Sequence, residues 1–109
     1  MKLLATLTIA CGLMTVSLAN AAVDAAAAQA SLKESGCLTC HAVDKAKIGP
    51  SFKDVAKHHK GQANAEADVT KHVTMKPMIT IDGTKTEHKA LKNTDPAAVK
   101  NVVQYILAQ

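Results

Sequence analysis

The chain has 109 residues and a formal net charge of +4, which is enough for one small domain at most. Because 48% of its residues are hydrophobic, it is neither disordered nor fibrous. Only 2% are aromatic, so a disulfide, a metal or a cofactor is expected to complete so small a core. All 13 basic residues are lysine. Since bidentate readout of phosphates and bases favours arginine, nucleic-acid binding is not expected.

Residues 1–21 have the pattern of a cleaved signal peptide. Lys2 supplies a positive charge, an apolar stretch follows, and Ala19-Asn20-Ala21 fits a small-x-small cleavage site. We therefore predict a signal peptide over 1–21 and a mature domain over 22–109, exported to the periplasm. The alternative is an uncleaved membrane anchor, but the apolar run is short for a span. No membrane span is expected once the signal peptide is removed.

One motif dominates the mature sequence. Removal of the signal peptide would take Cys11 with it and leave two cysteines, Cys37 and Cys40, which are followed directly by His41. The pattern C-x-x-C-H is the attachment signature of c-type haem. Its two thiols add to the vinyl groups of haem as thioethers, and the histidine supplies the proximal nitrogen to the iron. We predict one covalent haem c, bound by Cys37 and Cys40 with His41 as proximal ligand.

Two other uses of the cysteine pair are less consistent with the sequence. A thioredoxin-like redox pair usually follows a strand, whereas the segment before Cys37 is rich in alanine and helical in character. A zinc site would need two histidines at the spacing of paired ligands. His58 and His59 are adjacent instead, so their spacing does not match.

The first half of the mature chain predicts helices around this motif. Residues 22–35 have high helix propensity, and Gly36 stands where a helix can end. The dipeptide Gly49-Pro50 predicts a loop. Ser51 then resembles the start of a capping box, which predicts a short helix that stops at Gly61.

The second half predicts two further helices separated by a hairpin. Asn64 is a candidate cap for the first of these helices. Residues 78–86 alternate around Asp82-Gly83, which is a hairpin signal. Asp95 followed by Pro96 predicts the start of the last helix. The apolar residues of that helix recur at helical spacing: Val99, Val102, Val103, Ile106 and Leu107.

These features together resemble class I cytochrome c, and most closely the small bacterial monohaem c-551/c-552 group. The resemblance lies in the N-terminal helix before Gly-Cys-x-x-Cys-His, the Gly-Pro loop and the C-terminal amphipathic helix. It implies an all-α fold in which helices wrap around one covalently bound haem, here with a short hairpin-like distal loop. It also implies that the Pro50 carbonyl accepts a hydrogen bond from His41, and that Gly36 and Tyr105 mark where the first and last helices cross.

The sequence departs from this group at the sixth iron ligand. The family ligand is a methionine in a proline-rich loop shortly before the last helix, and no such segment is present. The position of the family's methionine can be located by counting back from the last helix or forward from the Gly-Pro loop. Both counts end close to His88, whereas Met75 and Met78 come about ten residues earlier. We predict His88 as the distal ligand with Met78 as the alternative, and Met75 or an open site also remain. His72 is expected to be structural and partly buried against the haem.

The resemblance implies a soluble periplasmic cytochrome that shuttles single electrons and is not an enzyme. We expect a monomer whose redox partners carry acidic docking patches, because lysines surround the motif and the proposed distal loop. The alternative is that these lysines only maintain solubility. They are Lys33, Lys45, Lys47, Lys53, Lys85 and Lys89.

Two other functions remain open at this point. One is a haem-ligand-binding or peroxidase-like protein with an open or displaceable sixth site, because the family's methionine loop is absent. The other is a dedicated cytochrome subunit of an oxidoreductase.

Overall fold

The computed structural model describes residues 22–109; the predicted signal peptide over 1–21, with Cys11, lies outside them. The described elements are α1 (Ala25–Glu34), a 3₁₀ turn (Cys37–Thr39), α2 (Phe52–His59), α3 (Ala65–Thr74), β1 (Met78–Ile81), β2 (Thr84–Glu87) and α4 (Pro96–Leu107). Across this part of the chain no helix has both the length and the hydropathy needed to cross a membrane.

Short polar side chains begin most of these helices, as the sequence predicts. The Ser51 hydroxyl accepts a hydrogen bond from the backbone of Asp54, and the Asp95 carboxylate accepts one from Ala98. Asn64 precedes α3 but does not cap it through its side chain. Its amide donates instead to the Asp68 carboxylate at 2.8 Å. The position of this helix start was predictable, but the hydrogen bond that the side chain makes there was not.

The core forms where α4 packs against α1, α2 and α3. Leu32 of α1 and Val102 and Val103 of α4 are almost fully buried, as the apolar spacing of α4 predicts. The wider core contains few large rings, since Phe52 and Tyr105 are its two aromatic members. This arrangement confirms the mostly helical fold that the sequence predicts.

Gly36 has a different place from the one that the resemblance implies. Its φ of 76° lies in the left-handed region, directly after the last residues of α1, so it ends that helix. The nearest atoms to a side chain at this position would belong to Lys89. Tyr105 instead accepts a hydrogen bond from Gln29 within α1. The helix crossing therefore lies within α1, near the fully buried Ala28.

The hairpin folds the chain back toward the end of α3. Strands β1 and β2 are antiparallel, and the turn residues Asp82 and Gly83 have φ values of 49° and 78°, as a two-residue hairpin turn requires. After β2, the backbone N–H of His88 donates to the Pro77 carbonyl at 2.8 Å. The hairpin thus brings His88 back to the end of α3.

Candidate cofactor site

The cysteine motif forms a tight turn at the end of the α1 segment. Backbone N–H groups of Cys40 and His41 both donate to the Cys37 carbonyl, at 3.2 and 3.0 Å. Both cysteines are half-buried and line one cavity. Burial raises the pKa of the Cys37 thiol, and the positive charge of Lys89 offsets part of that effect. The turn therefore presents two thiols and an imidazole to the same space.

The Gly-Pro loop fixes the orientation of His41. Its Nδ1 lies 2.7 Å from the Pro50 carbonyl oxygen. Because a carbonyl can only accept, Nδ1 carries the proton and Nε2 keeps a free lone pair. The loop itself is tied to the motif, since the Gly49 N–H donates to the Cys40 carbonyl at 2.8 Å. The ring also stacks on Phe52, with ring centres 5.6 Å apart.

Gly49 is the residue that allows this close approach. A Cβ at position 49 would lie 2.4 Å from Cε1 of His41, far inside van der Waals contact. Only glycine leaves room for the imidazole as it stands. The Gly-Pro loop therefore does two things: glycine provides the space for the ring, and proline provides the acceptor that orients it.

These residues line a cavity of about 620 Å³ that opens to the surface, a size typical of cofactor sites. Its apolar wall comes from the helices, the Gly-Pro loop and β1, and its polar groups come from the motif, from α2 and α3, and from the hairpin with the segment after it. The apolar lining residues are Leu32, Ile48, Phe52, Val55, Val69, Val73, Ile79, Ile81 and Ile106.

His88 stands across this cavity from His41. The centres of the two imidazole rings are 6.0 Å apart. Nδ1 of His88 is buried and makes no hydrogen bond with the described part of the chain. Partial burial, and then the neighbouring His41, lower the pKa of His88. The backbone of Lys89 and of His72 offsets part of this lowering. The lowered pKa favours the neutral ring, the form in which an imidazole can bind a metal.

The structure places the two methionine candidates elsewhere. Met78 is 61% exposed and Met75 is 70% exposed. Neither lines the cavity, although Ile79 and Ile81 of the same hairpin do. The cavity lining from β1 begins at Ile79 and continues through Thr80 and Ile81, so Met78 lies just outside it.

His72 lies closer to the proposed distal ligand than its sequence position indicated. It lines the cavity, and its ring centre is 4.1 Å from that of His88. Partial burial and then the neighbouring His88 lower its pKa, which favours its neutral form too. Its helical position indicated a structural residue near the haem. The hairpin brings His88 next to His72, and the residues around position 72 carry no signal for that contact.

The lysines near the site differ in their contacts. Lys53 forms an ion pair with Asp44, and Lys47 donates to the Leu38 carbonyl at 2.8 Å. Lys89 lines the cavity. Its Nζ comes within 3.1 Å of where a Cβ on Gly36 would stand, and its charge acts on Cys37. Lys89 is therefore the lysine that brings positive charge to the cysteine side of the cavity.

Comparison with known proteins identifies what this arrangement is similar to. A family profile described as cytochrome c matches residues 25–109. Cytochrome c-551 of Pseudomonas aeruginosa is 46% identical over 41 residues, which cover 38% of this chain and 39% of that protein. Cytochrome c2 of Rhodocyclus tenuis is 47% identical over 38 residues, which cover 35% and 41%. The chain thus spans well under half the length of these curated relatives.

Solved structures align over more of the chain. The class 1 cytochrome MtoD from Sideroxydans lithotrophicus ES-1 is 44% identical with a TM-score of 0.76, and the alignment covers 80% of this chain and 97% of that one. Cytochrome c552 of Nitrosomonas europaea is 20% identical with a TM-score of 0.57, and covers 73% and 96%; this second likeness shows the fold alone.

The close contact at Gly49 generates a test. Replacing Gly49 with Ala should displace the His41 ring and weaken its bond to Pro50, because the new methyl group overlaps the imidazole. The expected result is an altered haem absorption spectrum together with lower stability in a denaturant titration.

The matched control is Gly83→Ala in the hairpin turn, where nothing lies within 4 Å but φ is +78°. That change should cost stability through backbone strain and leave the haem spectrum unaltered. A Gly49→Ala protein with an unchanged spectrum would contradict the steric argument.

Proposed function

Because the chain belongs to the cytochrome c family, we propose that it is a soluble periplasmic monohaem cytochrome that shuttles single electrons between redox partners and is not an enzyme. Its cofactor is a single covalently attached haem c. When bound, the haem iron supplies a one-electron couple between its ferric and ferrous states. The observation that carries this proposal is the pair of imidazoles that face each other across an apolar cavity.

The residues present fit a haem. Two thiols stand at the spacing of thioether attachment, and the cavity behind them is mainly apolar. Gly49 leaves the space that His41 needs, and the His88 ring stands across the cavity with its centre 6.0 Å from that of His41. A cofactor here also explains how a chain with so few aromatic residues builds a core.

For the attachment and proximal side, we assign Cys37 and Cys40 to the thioethers and His41 to the iron. The hydrogen bond to Pro50 supports this assignment, because it leaves Nε2 as the free nitrogen. A fixed tautomer and a fixed ring orientation limit how much the site rearranges between the two oxidation states, which favours fast electron transfer.

For the distal side, we assign His88 rather than Met78 or Met75. Two imidazoles could hold one metal ion between them when their ring centres are roughly 6 Å apart. The rings of His41 and His88 are 6.0 Å apart, which supports this assignment. An imidazole in place of a thioether lowers the reduction potential. The protein would therefore serve a lower-potential step than a methionine-ligated carrier.

Export and docking complete the proposal. The pattern of residues 1–21 supports cleavage after Ala21 and a periplasmic domain over 22–109. The full chain carries a net charge of +4, of which the mature domain keeps +3 once Lys2 is removed with the signal peptide. This charge and Lys89 beside the cavity support partners with acidic patches, which would be steered to the haem edge. Lys47 and Lys53 contribute less to this surface, because each already has a partner within the chain.

The thioether assignment has a direct test. Replacing Cys37 and Cys40 together with Ser should abolish covalent attachment, because hydroxyl groups do not add to the vinyls as thiols do. Haem staining after denaturing electrophoresis should then be lost, and helix content by circular dichroism should fall. The matched control is Cys11→Ser, which lies in the proposed signal peptide and should leave attachment unaltered. Covalent haem in the double variant would contradict the assignment.

The distal assignment predicts that the methionines are dispensable. Met78→Leu should keep the wild-type haem spectrum and reduction potential, since this exposed side chain does not line the cavity. Met75→Leu serves as the matched control, since Met75 is also largely exposed. Loss of a far-red sulfur-to-iron absorption band in the Met78 variant would instead make Met78 the ligand.

The docking proposal predicts a charge effect centred on Lys89. Oxidation of the ferrous protein by ferricyanide, an anionic probe, should slow on raising the salt concentration. Lys89→Gln should reduce the rate roughly two- to threefold at low ionic strength. The control Lys100→Gln removes the same charge from α4, beside a separate groove. Equal effects of the two changes would show that net charge alone matters and would contradict a docking surface at Lys89.

A further inference from the structure

A third histidine lines the cavity beside the proposed ligand pair. His72 projects from α3, and its ring centre lies 4.1 Å from that of His88, at an interplanar angle of 56°. Within residues 22–109, the side-chain hydrogen bonds of histidines are those of His41 with Pro50 and of His59 with Gln62. The ring nitrogens of His72 therefore have no protein partner in this part of the chain.

We propose that His72 is a second distal ligand donor, able to bind the haem iron in place of His88. This inference rests on the assignment of His88 as distal ligand. In the exchange, the bond from a His88 nitrogen to the iron breaks and one from a His72 nitrogen forms. Both donors are neutral imidazoles, so no electron or proton is exchanged. A change of rotamer can move an imidazole over distances of this order without moving the helix that carries it.

The backbone explains why His88 is the first ligand and His72 the second. His88 follows a hairpin whose end is tied to the chain before it, through the bond from its own N–H to Pro77. The bond from Leu91 N–H to the Val73 carbonyl, at 2.9 Å, ties the next turn of chain to the residue after His72. The two imidazoles are therefore held side by side by backbone hydrogen bonds, with His88 facing His41 at 6.0 Å.

The other histidine of the cavity does not share this role. His59 lines the same cavity, but its Nδ1 lies 3.2 Å from the Gln62 side-chain oxygen. It also has no imidazole neighbour on the distal side, since its ring partner is His58 at 5.1 Å. Of the cavity histidines, His72 is thus the one placed to replace His88.

The consequence is a haem that resists external ligands. If His88 dissociates, a neighbouring imidazole competes with water, cyanide or peroxide for the vacated position. The effective concentration of a tethered donor so close to the site is high compared with that of a dilute ligand. This arrangement favours an electron carrier over a peroxidase-like protein, because the iron keeps two protein ligands.

The test uses the covalently loaded holoprotein and three variants. His88→Ala should remain low-spin in electron paramagnetic resonance, with shifted g-values, because His72 takes the vacated position. His88→Ala combined with His72→Ala should become high-spin and bind cyanide rapidly. The matched control combines His88→Ala with His59→Ala and should remain low-spin like the single variant. Covalent attachment keeps haem in all of them, so absorption and resonance signals are available even if stability falls.

The outcomes separate this inference from the assignment on which it rests. A high-spin His88→Ala protein that binds cyanide as fast as the His72 double variant would overturn the second-donor role and leave His88 as the ligand. A His88→Ala protein with the wild-type signal would show that His88 is not the ligand, which overturns the assignment itself. Loss of the low-spin signal in the His59 control would assign the second donor to His59 and contradict our proposal.

Discussion

The site depends on one hydrogen bond, from Nδ1 of His41 to the Pro50 carbonyl. It fixes which nitrogen carries the proton and holds the ring toward the cavity. The bond exists because Gly49 leaves no side chain in the way, and because the Gly49 N–H is itself bound to the Cys40 carbonyl. The motif and the Gly-Pro loop are therefore one unit, although Pro50 lies nine positions after His41.

The cofactor and the helices depend on each other. Leu32 of α1 and Ile106 of α4 belong to the buried core and also line the haem cavity. The helices thus pack against each other on one side and offer an apolar wall to the haem on the other. This shared wall accounts for a core with few aromatic residues, because the porphyrin supplies the large apolar surface that rings would otherwise provide.

Local chemistry made much of the fold predictable. Ser51, Asp95 and the Asp82-Gly83 turn each act through contacts within a few residues, so their patterns can be read from sequence. Contacts that join distant segments were harder to foresee. The closeness of His72 to His88 and the position of Lys89 over Gly36 arise only when the hairpin folds back on α3. Sequence spacing indicated His88 as a ligand candidate, but it could not show that Met78 faces outward.

We propose that two imidazoles, rather than an imidazole and a thioether, hold the iron of this cytochrome. The most direct measurement is the far-red absorption of the wild-type ferric protein, recorded together with its low-temperature electron paramagnetic resonance spectrum. We expect a low-spin signal and no sulfur-to-iron band. A low-spin signal accompanied by that band would establish methionine ligation and contradict the account, and a high-spin signal would contradict it by showing an open sixth site.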